Sequence, residues 1–92
     1  MDPNTLIRKH IVFYGAVQGV GFRWRARQAA NLFGCSGWCR NEWDRTVVME
    51  IQGTEAQIDQ VILAIERGRY VEIRNMDVRN IPPIEERGFR TE

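Results

Sequence analysis

Histidine and cysteine are scarce in this chain of 92 residues, which contains one histidine and two cysteines. A structural zinc site takes four ligands, so Cys35 and Cys39 cannot complete one without further cysteines or a nearby histidine. Three residues separate the two cysteines, whereas the C-x-x-C redox motif has two. A redox pair is therefore the less favoured interpretation, and we predict that both thiols stay reduced and pack in the interior.

An excess of charge of either sign is also missing. Thirteen basic and twelve acidic residues are spread along the chain and give a formal net charge of +1. No basic stripe therefore points to nucleic acid as a partner. No apolar run approaches the roughly 20 residues of a membrane span, and the first ten residues, MDPNTLIRKH, lack the apolar core of a signal peptide. We predict a single cytoplasmic domain over residues 1–92 that binds neither nucleic acid nor a membrane.

Hydrophobic periodicity predicts strands over residues 7–14, 36–41, 46–52 and about 71–78, with a bulge in the last because its apolar residues do not alternate strictly. A first helix starts at Phe22 and closes at Gly34; a second starts at a capping box of Thr54 and Gln57 and ends at Gly68. Residues 42–45, EWDR, form a hairpin loop. After a Pro-Pro break, the tail GFRTE is a candidate for a short edge strand.

The order strand, helix, strand, strand, helix, strand predicts an α+β fold, the ferredoxin-like βαββαβ sandwich, in which a four-stranded antiparallel sheet carries two helices on one face. The other face is then left to solvent or to a partner, so polar residues are tolerated there. We expect His10 on that face, as an exposed sheet residue rather than as a catalyst.

The stretch VQGVGFR, residues 17–23, joins the first strand to the first helix. Gly15, Gly19 and Gly21 indicate positive φ angles or a close approach to the backbone. Amides at a helix N-terminus favour an anion, and Arg23 can make bidentate bonds to phosphate. The Walker and dinucleotide patterns are not matched, since G-K-[ST] is absent and Trp24 takes the place of the third glycine. On spacing alone, a phosphate site and a turn that merely connects two elements are equally supported.

GAVQGVGFRW closely resembles the first signature of the acylphosphatases, and GWCRN resembles the start of their second. The resemblance covers nearly the whole chain, with the same order of elements. It implies hydrolysis of carboxyl-phosphate anhydrides by direct attack of water, without a metal, an organic cofactor or a phosphoenzyme. It implies a small-molecule acyl phosphate as substrate. We expect a monomer, with phosphate or sulfate as a product-like ligand.

The resemblance also implies roles for individual residues. In the family, backbone amides of the loop bind phosphate, an arginine that closes the loop binds its oxygens, and an asparagine at the end of the second strand positions the attacking water. The matching catalytic residues are Arg23 and Asn41. The matching phosphate-binding residues are Gln18, Gly19, Val20, Gly21, Phe22 and Arg23.

Two positions depart from the family pattern. The second signature reads N-x-x-x-G-x-V, and Arg45 stands in the place of its glycine. If this position takes a positive φ, the arginine is strained and a differently bent hairpin could tilt Asn41. The C-terminal residues FRTE lack the apolar residue and the final aromatic of many relatives, which concerns the packing of the edge strand rather than the chemistry.

Two alternatives stay open. A non-catalytic ferredoxin-like module could bind a protein, an RNA or a small anion and keep the loop only as scaffold, although VVMEIQG lacks the aromatic motif of an RNA-binding sheet. Similar domains also occur in larger hydrogenase-maturation proteins that act on carbamoyl phosphate. No zinc-finger cysteines follow in this sequence, so we expect a free-standing enzyme.

Overall fold

The computed structural model describes residues 2–92, which form five strands and two helices. Strands β1 and β4 are longer than predicted because they pair along almost their whole length. The other elements differ from the predicted bounds by at most a few residues. The elements, in chain order, are β1 (Ile7–Ala16), α1 (Phe22–Phe33), β2 (Ser36–Asn41), β3 (Val47–Gly53), α2 (Glu55–Glu66), β4 (Glu72–Ile81) and β5 (Phe89–Thr91).

The strands form one mixed sheet in the order β4-β1-β3-β2-β5. The first four pair antiparallel, as predicted, and the candidate edge strand is confirmed. However, β5 pairs parallel to β2, so the prediction of a four-stranded antiparallel sheet is wrong. The cause is the place where β4 ends: Ile81 pairs with Arg8, at the end of the sheet where β2 begins. The chain crosses the sheet at that end and therefore enters β5 in the direction of β2.

The predicted bulge in the last strand is confirmed. Tyr14 of β1 pairs with Asn75 and the next residue, Gly15, pairs with Ile73, so Arg74 is the extra residue of β4. Gly15 has a φ of 125°, and a Cβ built on it would lie 2.2 Å from the carbonyl oxygen of Glu72. Only glycine lets the two backbones approach so closely at the end of β1.

Both helices have the local signals that the sequence indicated. Gly21 and Gly34 flank α1 with left-handed φ angles of 80° and 76°. The capping box of Thr54 and Gln57 at the start of α2 is confirmed, with both reciprocal hydrogen bonds present. This helix ends at Glu66, before the predicted Gly68.

The hydrophobic core lies between the two helices and one face of the sheet. Phe13 of β1 and Phe22, the first residue of α1, meet edge to face with ring centroids 4.8 Å apart. This contact packs the start of α1 against β1, and residues 17–21, here called the glycine loop, connect the two elements. The residues that complete the core on strands and helices include Ile11, Ala26, Ala30, Cys39, Val47, Met49, Ile51, Ile58, Val61 and Ile65.

The face of the sheet opposite the helices, which we expected to be left to solvent or to a partner, is partly covered by the chain itself. Residues 82–88, here called the crossing segment, run over it between β4 and β5. The side chain of Gln52 donates to the carbonyl of Ile84 at 2.7 Å and accepts from its amide at 3.0 Å. Arg8, only 2% exposed, donates to Glu86 at 2.7 Å. The crossing segment is thus tied to β1 and β3 by polar contacts.

His10 lies on the same face, as predicted, but it is half-buried and paired. Its Nδ1 lies 2.7 Å from Oε2 of Glu50. Burial alone would raise the pKa of Glu50, but hydrogen bonds from His10 and Arg8 outweigh it and hold that pKa below its usual range. The His10 side chain is therefore part of a hydrogen-bonded cluster with Glu50 and Arg8.

Cys35 and Cys39 are both free and buried, in agreement with the prediction. Burial raises the pKa of Cys35 to about 11 and that of Cys39 to about 12, so neither thiol is ionised near neutral pH. Across residues 2–92 the structure has no helix with both the length and the apolar character to cross a lipid bilayer.

Candidate active site

The glycine loop leads from β1 into the N-terminus of α1. Gly19 and Gly21 have φ angles of 71° and 80°, and a Cβ built on either would meet no atom within 4 Å. The glycines are thus needed for backbone conformation, and the space in front of them is open. No side chain caps α1 and no acidic residue occupies its first turn. The exposed amides and the helix dipole make this end of α1 suitable for an anion.

Arg23 lies in the first turn of α1 and is partly exposed. Its Nη1 donates to the main-chain oxygen of Glu92 at 2.9 Å, directly after β5. Glu92 is in turn held to β2, because its amide donates to the carbonyl of Cys39 at 2.8 Å. The guanidinium is therefore fixed at one nitrogen, and its other N–H groups can serve a bound anion.

Asn41 is the last residue of β2 and is exposed. Strands β1, β2 and β5 run in the same direction, since β1 and β2 are both antiparallel to β3 and β5 is parallel to β2. Their C-terminal ends therefore lie at the same end of the sheet. The topology brings the glycine loop, Asn41 and the partner of Arg23 to this end.

Gln18 joins the glycine loop to the β2–β3 hairpin. Its Nε2 donates to the carbonyl of Glu42 at 2.8 Å and to that of Thr46 at 2.9 Å. The sequence prediction placed Gln18 among the phosphate-binding residues through its backbone amide. Its side chain, by contrast, contacts the hairpin, so it holds the strand end that carries Asn41 against the loop.

The hairpin itself is closed by a short network of hydrogen bonds. The amide of Glu42 donates to the carbonyl of Thr46 at 2.9 Å, and the amide of Arg45 donates to the carbonyl of Glu42 at 3.2 Å. Asp44 accepts from the hydroxyl and the amide of Thr46 at 2.6 and 3.1 Å, and these bonds lower the pKa of its carboxyl. Arg45 has a φ of 73° and is the one non-glycine residue with a positive φ among residues 2–92.

Arg45→Gly is expected to stabilise the protein without changing its turnover. Relief of the left-handed arginine exceeds the added unfolded-state entropy of glycine, for a net gain of about 0.5–1 kcal/mol in unfolding free energy. Because Gln18 and Asp44 already hold the hairpin, we expect kcat to stay within about twofold. Urea denaturation and steady-state kinetics measure the two effects. A tenfold rise in kcat would mean that the arginine misplaces Asn41.

Two features of the site were not found from the sequence. The contacts of the Gln18 side chain span 24 and 28 residues along the chain, and no local pattern reveals them. The contact between Arg23 and Glu92 depends on the parallel placement of β5. The hydrogen bonds between Asp44 and Thr46 could have been predicted from the sequence, because an Asp and a Thr two residues apart commonly bond within a turn.

Fold and site together define a small two-layer α+β domain that presents an uncapped helix N-terminus at one end of its sheet. A family model described as acylphosphatase matches residues 9–91. The acylphosphatase of Bifidobacterium longum is 39% identical over 83 residues, which cover 89% of this chain and 86% of that protein. The chain therefore belongs to the acylphosphatase family.

Solved structures agree with this assignment. The crystal structure of acylphosphatase from Bacillus subtilis matches with a TM-score of 0.84 at 26% identity and covers 96% of this chain and 99% of that one. The crystal structure of HypF from T. kodakarensis matches with a TM-score of 0.79 at 26% identity. The match covers 94% of this chain but 12% of that one, so the same fold also occurs within a longer protein.

Proposed function

We propose that this protein is an acylphosphatase, which hydrolyses the carboxyl-phosphate bond of acyl phosphates to a carboxylate and inorganic phosphate. The chain belongs to the acylphosphatase family, and one observation carries the proposal. The glycine loop with the uncapped N-terminus of α1, Arg23 and Asn41 all lie at one end of the sheet. The reaction needs hydrogen-bond donors for the phosphoryl oxygens and a group that orients the attacking water, and these residues supply both.

The phosphoryl group binds to the glycine loop and to Arg23. Backbone amides from Gln18 to Phe22 donate to its oxygens, and the guanidinium adds charge-assisted hydrogen bonds. Fixed donors of this kind contribute about 3 kcal/mol each when they face the charge that develops in the transition state. The absence of an acidic residue in the first turn of α1 supports this role, since a carboxylate there would repel the substrate.

Asn41 holds the attacking water through its side-chain amide. The water oxygen forms a bond to phosphorus while the bond between phosphorus and the acyl oxygen breaks, and the carboxylate leaves with the electron pair. A carboxylate is a stable anion, so little acid catalysis is required. A phosphate oxygen of the substrate accepts the proton of the water. No phosphoenzyme forms.

The protein acts as one domain over residues 1–92, as a cytoplasmic monomer that needs neither metal nor organic cofactor. One hydrophobic core, to which both helices and the sheet contribute, supports the single domain.

Hydrolysis of benzoyl phosphate in the presence of a chelator tests the proposed reaction. We expect turnover that the chelator does not reduce. If folded protein at high concentration gave none, the non-catalytic anion-binding module would be the better interpretation. A pH profile of kcat that required a protein base would contradict the proton transfer to the substrate.

Inorganic phosphate is expected to inhibit competitively, and sulfate likewise, because each anion makes the contacts of the phosphoryl group. In a titration followed by NMR, the largest amide shifts should fall within residues 18–23. Shifts confined to another part of the chain would contradict the assignment of the site.

A further inference from the structure

The buried arginine on the far face of the sheet is connected to the candidate active site through the C-terminal part of the chain. We propose that Arg8 and Glu86 are positioning residues for Arg23: by holding the crossing segment they fix β5 and the main-chain oxygen that accepts from the Arg23 guanidinium. The inference rests on the role proposed above for Arg23 in phosphate binding.

Arg8 is held much more firmly than a surface arginine. Its side chain is 1% exposed and lies 2.7 Å from Glu86, whose side chain is 9% exposed. A second carboxylate, that of Glu50, accepts from Nε and Nη2 at 3.2 and 3.1 Å. Removing one partner from a buried pair leaves a poorly compensated charge, so these contacts strongly favour one arrangement. Glu86 belongs to the crossing segment, whereas Glu50 belongs to β3.

The crossing segment has little else to hold it. Ile84 is 53% exposed, and the two prolines before it are exposed as well. Its other hydrogen bonds to the sheet are the two between Ile84 and Gln52 and one from the amide of Gly37 to the carbonyl of Gly88, at 3.0 Å. Polar contacts rather than apolar burial therefore determine the path of residues 82–88.

Strand β5 has only three residues, so besides its pairing with β2 and the bond from the Glu92 amide to Cys39 it relies on that path. Phe89 is buried, but the rest of the strand is exposed at the edge of the sheet. Glu86 also accepts from Arg90 at 3.3 Å, so the same carboxylate contacts both Arg8 and β5. Beyond β5, the main-chain oxygen of Glu92 accepts from Arg23 at 2.9 Å.

These contacts form one connected path from Arg8 through Glu86 and β5 to Arg23. When the path is broken, β5 detaches more often and the guanidinium loses its fixed acceptor. Arg23 then has to be ordered by the anion itself, which costs binding free energy. The effect is on positioning, since Arg8 and Glu86 lie on the opposite face from the helix that carries Arg23.

Glu86→Ala and Glu50→Ala form a matched pair of variants. Each removes one carboxylate from Arg8, but only Glu86→Ala releases the crossing segment. We expect Glu86→Ala to weaken the binding of inorganic phosphate by about three- to tenfold, as measured by calorimetry, whereas Glu50→Ala leaves it unchanged. Glu86→Ala should also speed hydrogen exchange of the Glu92 amide and shift the NMR signal of the Arg23 Nε–H group. Glu86→Gln serves as a milder variant if Glu86→Ala does not fold.

Equal effects of the two variants on phosphate binding would overturn the proposal, because loss of stability alone would then explain them. An unchanged Arg23 Nε–H signal in Glu86→Ala would also overturn it. The NMR and exchange measurements need no substrate. If the parent protein failed to bind phosphate, the proposed function would be contradicted, while these two measurements would still decide whether Arg8 and Glu86 position Arg23.

Discussion

Asn41→Ala is expected to lower kcat by about a hundredfold or more while the inhibition constant of phosphate stays within a few-fold of its parent value. The asparagine is assigned to the attacking water and not to the phosphoryl oxygens. Loss of its side-chain amide therefore removes the group that orients the attacking water but leaves every hydrogen-bond donor to the phosphoryl group in place. Asn41 is exposed at the end of β2, so we expect the variant to fold as the parent protein does.

Steady-state kinetics with benzoyl phosphate, together with phosphate inhibition, separate these two parameters. Asn80→Ala, at another exposed strand position, is the control and should behave as the parent protein. If Asn41→Ala weakened phosphate binding strongly and kept most of its turnover, the water-positioning role would be wrong.

Prediction of the fold succeeded where the determining signals are local. Gly34 ends α1, and the pair Thr54 and Gln57 starts α2, because a helix terminus is decided within a few residues. The strand β5 shows the opposite case. Its three residues were noted only as a candidate, and its parallel pairing depends on where β4 ends and on the route of residues 82–88. Such a route is a property of the whole sheet.

In the site, too, local motifs were predicted and long-range contacts were not. The glycine loop, Arg23 and Asn41 were found because two signatures occur at the expected distance, and the family assignment is confirmed. Their roles remain predictions. The side-chain contacts that hold them in place were not predicted because each joins distant segments: Gln18 contacts the hairpin, and Arg8 contacts Glu86, 78 residues further along the chain.

The burial of Arg8 shows why polarity alone misled the prediction about the open face. A polar residue at an alternate strand position was expected to lie on a face left to solvent or to a partner. Arg8 instead has a buried guanidinium because two carboxylates and Gln52 accept its hydrogen bonds. Burial of a charged group is tolerated when it is paired and bonded in this way. Only the fold brings these partners together, so the sequence alone could not indicate it.

Arg23→Ala is expected to lower kcat/KM by about a thousandfold and also to weaken phosphate inhibition, in contrast to Asn41→Ala. The guanidinium binds the phosphoryl oxygens both in the bound substrate and in the transition state. Its charge-assisted bonds strengthen as negative charge develops on those oxygens, so kcat and anion affinity fall together. Arg23→Lys should recover only part of the loss, because an ammonium keeps the charge but lacks the planar fork.

Arg27→Ala is the matched control for that result. Arg27 lies one turn further along α1, is exposed, and carries the same charge. If general electrostatic attraction of the substrate were sufficient, both alanine variants would lose activity to a similar extent, and added salt would reduce the difference from the parent. We expect Arg27→Ala to retain parent kinetics at physiological ionic strength, because the contribution of Arg23 comes from its placement beside the glycine loop and its contact with Glu92.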